Sequence, residues 1–113
     1  MNTTVTFELW QLKIVSGKNA PLGANRNLAF MGLSVWNDSG IAPKKEMYDK
    51  VYARTDTVGT FILNEYLEDL FMEFNIQEPE DYFGRYMSVS DVVVLNGTAY
   101  FCDNAGWKEL KTF

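Results

Sequence analysis

The chemistry this chain can offer is mostly carboxylate chemistry, and it is concentrated. Between Thr55 and Gly84 lie eight acids (Asp56, Glu65, Glu68, Asp69, Glu73, Glu78, Glu80 and Asp81) and no Lys or Arg. The other 83 residues hold seven acids and all ten bases, so a −8 segment sits in a +3 remainder and the chain totals −5. Glu65, Asp69 and Glu73 are spaced i, i+4, i+8, which on a helix places them in one row, with Glu68 beside them on the exposed arc. Like charges at that spacing repel by about a few tenths of a kcal/mol per pair, and a helix N-terminus offsets part of this for Glu65. Such a row is either the solvated outer face of an amphipathic helix or a docking surface for a basic partner. Glu78, Glu80 and Asp81 follow in QEPEDYFG, which lacks the regular ligand spacing and central glycine of a calcium loop, so no metal is expected there.

Other catalytic chemistries fall away. The chain has no histidine, which excludes Ser-His-Asp and Cys-His arrangements and an imidazole switch between about pH 5 and 8. Its one cysteine, Cys102, cannot form a disulfide within the chain or furnish the usual zinc ligand set, and inside an aromatic strand it reads as a buried small hydrophobe. Ser88 and Ser90 precede Asp91 with no base nearby, an arrangement of backbone caps rather than of a nucleophile. Arg85, the first base after the acids, reads as neutralising part of them. The glycines match no phosphate-binding fingerprint. No cofactor, no metal and no catalytic residue is therefore expected, and direct nucleic-acid binding by the acidic segment is electrostatically disfavoured.

These residues must be held by a single domain, residues 1–113, because 113 residues suit one core, and 8 Phe, 6 Tyr and 3 Trp suffice to build it. From Thr4 to Val15 the sequence alternates, with Val5, Phe7, Leu9 and Gln11 on one face of a strand. Turn residues follow from Ser16 to Asn25, and Asn25 can cap a short helix carrying Leu28, Phe30, Met31 and Leu33, with Gly32 near its end. A loop is expected over Asn37 to Lys45 and a strand beginning near Lys50. The strongest element is a helix on which Leu63, Tyr66, Leu67, Leu70, Phe71 and Phe74 form one apolar stripe, with Asn75 at its end and Pro79 beyond. A buried strand over Val92 to Leu95, the Asn96-Gly97 pair of a type I′ hairpin, a strand over Thr98 to Asp103 and a last strand from Trp107 predict a C-terminal meander. The class is α+β: a small antiparallel sheet of about four to five strands with about two helices packed on one face.

The segment LEDLFMEFNIQEPEDYFGRYMSVSDVVVLNGTAYFCDNAGWKEL, from Leu67 to Leu110, resembles the YodL-like domain of Bacillota and their mobile elements. It carries, in order, an LEDIF-type helix, a short FN turn, a D-[FY]-x-G-R step, an SVSDVV block, an aromatic strand ending in Asp and a following G-W strand; upstream, FELWQLK and MYDKVYA complete the likeness. It differs in the hairpin between the SVSDVV strand and the aromatic strand, reduced here to Asn96-Gly97, and in the final WKELKTF. The resemblance implies a small accessory protein of phages and conjugative elements with no catalytic residues, and a link to the actin-like cell-shape machinery.

Together these readings lead to an expectation of a non-enzymatic inhibitor or modulator carried by a phage or mobile element. It would bind a host protein, in particular a defence nuclease of the RNA-guided or restriction type, in the manner of an anti-CRISPR protein. Partner-binding residues would be Glu65, Glu68, Asp69, Glu73, Glu78, Glu80 and Asp81, imitating a phosphate track in the nuclease's basic groove. The alternative is an adaptor for a cytoskeletal or cell-shape protein, bound through an exposed sheet edge or an aromatic surface anchored by Trp10, Trp36 and Trp107. The N-terminus has no signal-peptide pattern and no apolar run reaches about 20 residues, so a cytoplasmic location in the host is expected.

Overall fold

The computed structural model describes residues 3–13 and 28–113. Five strands form one antiparallel sheet: β1 (Thr3–Leu12), β2 (Tyr48–Val58), β3 (Val92–Leu95), β4 (Thr98–Cys102) and β5 (Trp107–Leu110), in spatial order β2-β1-β3-β4-β5. Among the described residues two helices lie between them in sequence, α1 (Leu33–Asp38) and α2 (Leu63–Ile76), and a 3-10 turn at Lys45–Met47 leads into β2. The α+β class and the C-terminal meander are as expected. Asn96 and Gly97 have φ of 49° and 89°, the paired positive values a type I′ hairpin demands.

Alternation in β1 divides the core. Val5, Phe7 and Leu9 face α2 and pack with Leu67, Leu70, Phe74, Tyr82, Met87, Val93 and Leu95. The opposite face gathers Leu12, Val92, Val94, Ala99 and Phe101 with Leu28, Trp36, Met47 and Tyr48. Phe7 and Phe74 are fully buried with centroids 5.6 Å apart, as are Trp36 and Phe101 at 5.9 Å. Full burial of a large apolar side chain is worth about 1.5–3 kcal/mol, so each face has its own anchor.

Among the described residues α2 therefore covers one face of the sheet and α1 the other, where about two helices had been expected on one face. The physical reason is β3: all four residues of Val92–Leu95 are buried, and a strand that is apolar on successive residues needs cover on both sides. The helix expected to start at Asn25 lies largely outside the described residues; Leu28 is helical, and the chain turns at Ala29 and Phe30, where φ is 66°. Gly32 is the residue before α1 rather than the end of a helix, and α1 extends to Asp38, into the expected loop. A side chain distant in sequence starts this helix, because the Leu33 N–H donates to Asp103 Oδ1 at 3.1 Å.

β2 begins at Tyr48, two residues before its expected start, and pairs with β1 from Thr3↔Val58 to Leu12↔Tyr48. A register irregularity opposite Leu9 and Trp10 leaves Val51 as the extra residue on β2.

Candidate interaction face

The solvent side of α2 begins with Glu65, Glu68 and Asp69, all exposed and with no hydrogen bond or ion pair to any described residue. One and two turns further on, at the helical spacing of three to four residues, Met72 and Ile76 are 55% and 73% exposed. The helix thus presents an acidic first half and an apolar second half. Beyond it, Glu78 and Glu80 are exposed in the loop after α2, as is Phe83 at 92%.

Glu73 departs from the expected exposed arc. It is half-buried, turned towards the sheet, and both its carboxylate oxygens accept hydrogen bonds from Arg54 at 2.6 Å. The Arg54 guanidinium also contacts Asp56, with Nε 3.0 Å from Oδ1, and lies 5.5 Å and 5.6 Å from the ring centres of Phe7 and Phe74. Tyr66 of α2 donates to the same Asp56 at 2.6 Å. Bonding to Glu73 holds the Arg54 guanidinium even more firmly protonated than usual. Asp81 is engaged as well, accepting from the Tyr52 hydroxyl at 2.9 Å. Of the seven candidate carboxylates, the fold uses Glu73 and Asp81 to join β2 to α2 and to the loop after it. Glu65, Glu68, Asp69, Glu78 and Glu80 are left facing solvent.

Beneath this face lies a polar network assembled around Asp91, which is 1% exposed. Its Oδ2 accepts from Gln11 Nε2 at 3.0 Å and from the Ser88 N–H at 2.9 Å. Gln11 bonds in addition to the Arg85 backbone in both directions, each at 3.0 Å, and Arg85 Nη2 donates to the Leu12 carbonyl at 3.0 Å. Tyr82 donates to the Arg85 carbonyl, and Tyr48 to the Ser90 carbonyl at 2.7 Å. Arg85 therefore clasps the end of β1 instead of neutralising the acids of α2, while the Ser88 hydroxyl donates to the Tyr86 carbonyl and the Ser90 hydroxyl accepts from the Phe30 N–H, each at 3.1 Å, as the backbone caps expected of them. Burial raises the Asp91 carboxyl to about 7 against the lowering influence of these bonds. Burial likewise pushes the Cys102 thiol up to about 12. Both groups are buried, and among the described residues no three His, Cys, Asp or Glu side chains are grouped so as to hold a metal ion.

A model of the YodL-like domain family matches residues 6–113, a range that takes in both helices and, apart from the start of β1, all five strands. The chain belongs to the YodL-like domain family. No curated protein and no solved structure matches it. In this YodL-like domain the polar residues of the Leu67–Leu110 block are largely taken up by folding: Tyr82, Arg85, Ser88, Ser90 and Asp91 in the network, Asp103 at the start of α1. Glu68 and Asp69 of the LED segment have no such employment. Sequence reading missed the Arg54–Glu73 pair because Arg54 stands one residue before the stretch that lacks bases. Among the described residues, no helix is long and apolar enough to cross a membrane.

Proposed function

We propose that this YodL-like domain is a non-enzymatic binding module that docks the outer face of α2 onto a protein surface basic at one end and apolar at the other. The observation that carries this reading is the continuity of Glu65, Glu68 and Asp69, unpartnered within the fold, with exposed Met72 and Ile76. Charges of one sign steer encounter and fix orientation, and adjacent apolar side chains supply the desolvated contact from which most affinity comes. A groove that ordinarily grips phosphates offers Lys and Arg side chains to such carboxylates, so a nucleic-acid-handling host protein is the target class, with stoichiometric inhibition as the outcome. The setting for this role is a phage or mobile element acting on its host.

The aromatic-anchor alternative is weakened by geometry. Trp36 is wholly buried, Trp10 is covered by Phe113 at 5.7 Å between centroids and by Lys45, and Trp107 packs against the α2 side of the core. The test is affinity capture from lysate of a Bacillota host, comparing the parent with a Glu65→Lys, Glu68→Lys, Asp69→Lys variant and with a Met72→Asp, Ile76→Asp variant. A specific partner should be retained by the parent at low salt, be released as salt rises, and be lost by both variants. Equal retention of the same partner by parent and variants overturns the reading.

A further inference from the structure

Among the described residues the sheet has one long free edge. β2 is its outermost strand on one side, 11 residues long, against four for β5 on the other. Which groups that edge offers follows from β1. The Thr6 N–H donates to Asn96 Oδ1 at 2.8 Å and its carbonyl accepts from Asn96 N–H at 2.9 Å, so the main chain of Thr6 points towards β3 and away from β2. Its partner across the β1–β2 ladder, Thr55, is then in a pair without mutual hydrogen bonds, and its own N–H and C=O point outward. By the two-residue period the same holds for Ala53 and Thr57, which pair with Glu8 and Thr4. All three are exposed, with small side chains on the face opposite α2.

Natural edges are usually blunted by lysine, proline or a bulge. The stretch Tyr52–Val58 contains neither lysine nor proline, and the irregularity at Val51 lies just outside it. The stretch is also self-complementary. Antiparallel pairing with an identical stretch about a two-fold axis at Thr55 sets Arg54 opposite Asp56 of the second copy twice over, and Ala53 opposite Thr57, with the outward amides of 53, 55 and 57 meeting one another. Axes at the neighbouring positions set Arg54 against Arg54 or Asp56 against Asp56 and are disfavoured.

We propose that two copies of this chain associate through β2, continuing the sheet to ten strands across a two-fold axis at Thr55. Two such short edges form a small interface, so association in the micromolar to millimolar range is expected. Sedimentation equilibrium of the full chain up to about 1 mM should show the mass rising towards twice 12.9 kDa. Thr55→Pro removes an outward N–H without touching the β1 ladder, and should hold the mass at that of one chain while leaving the far-UV spectrum unchanged. Thr55→Cys gives an independent readout, since the native thiol is buried: mild oxidation should yield a covalent dimer, whereas Ser39→Cys, exposed after α1, should not. A single-chain mass for the parent throughout, association of folded Thr55→Pro equal to the parent's, or equal cross-linking at residues 55 and 39 would each overturn the proposal.

Discussion

Arg54 of β2 grips Glu73 of α2 through two hydrogen bonds of 2.6 Å while its guanidinium lies against Phe7 and Phe74. The pair joins the edge strand to the principal helix over the apolar core, with side chains only 24% and 31% exposed. Removing one partner strands the other. Arg54→Met should therefore destabilise the domain by about 2–3 kcal/mol, and Glu73→Gln, which keeps one acceptor, by about 1 kcal/mol. Urea unfolding of both variants and their combination measures this; equal, additive losses below about 0.5 kcal/mol would show the pair to be an ordinary surface contact.

Reversal of Glu65, Glu68 and Asp69 to lysine is expected to behave oppositely. None of the three has a partner to lose, so folding stability should change by no more than about 0.5 kcal/mol each. A thermal melt separates this case from Glu73→Lys, for which a large drop is expected because a like charge is placed against Arg54.

Asp91 makes stability depend on pH. Its buried carboxyl is raised to about 7 from an ordinary value of 3.8. Between those values the native state keeps a proton that the unfolded chain gives up, so this group's contribution to stability declines as pH rises from about 4 to about 7 and is level above that. Each pKa unit corresponds to about 1.4 kcal/mol. Asp91→Asn preserves an oxygen for the Ser88 N–H and Gln11 but cannot ionise. Unfolding free energies of parent and variant at pH 4.5 and 7.5 should show the parent losing ground to Asp91→Asn at the higher pH; parallel profiles would contradict the assignment.

Gly84 tests the same network by shape. A Cβ at this position would overlap the Tyr82 hydroxyl oxygen and come within 2.9 Å of Gln11 Oε1, and both atoms are already bonded to the Arg85 backbone. Gly84→Ala should cost about 1–3 kcal/mol, with the loss visible as a lower urea midpoint. A midpoint equal to the parent's would mean that Tyr82 yields without strain.

Much of the fold was legible because local pattern and tertiary need agree. The alternation of Val5, Phe7 and Leu9, the stripe of Leu67, Leu70 and Phe74, and the Asn96-Gly97 hairpin are each set by neighbours in sequence. The two-sided cover of the sheet was not read from the sequence: the unbroken apolar run Val92–Leu95 demands it, but alternation in β1 fits a sheet covered on one face. Nor was the start of α1, since its helix-initiating acceptor, Asp103, is 70 residues away. For the acidic face, helical spacing gave the row correctly but could not reveal that a cation on β2 turns Glu73 under. Met72 and Ile76 are not distinguishable in sequence from the core stripe beside them; only their exposure separates the two.

The placement of β1 between β2 and β3 imposes a timetable on the nascent chain. β1 leaves the ribosome before both of its neighbours, pairing on one side with a segment beginning at Tyr48 but on the other with one beginning at Val92. Until that last part emerges, the Phe7–Trp10 stretch of β1 has an open flank and both core layers lack their shared wall. Synthesis at about 5–20 residues per second makes that exposure last for seconds, during which, among the described residues, the ladder of β1 and β2 has only α1 and α2 to cover it.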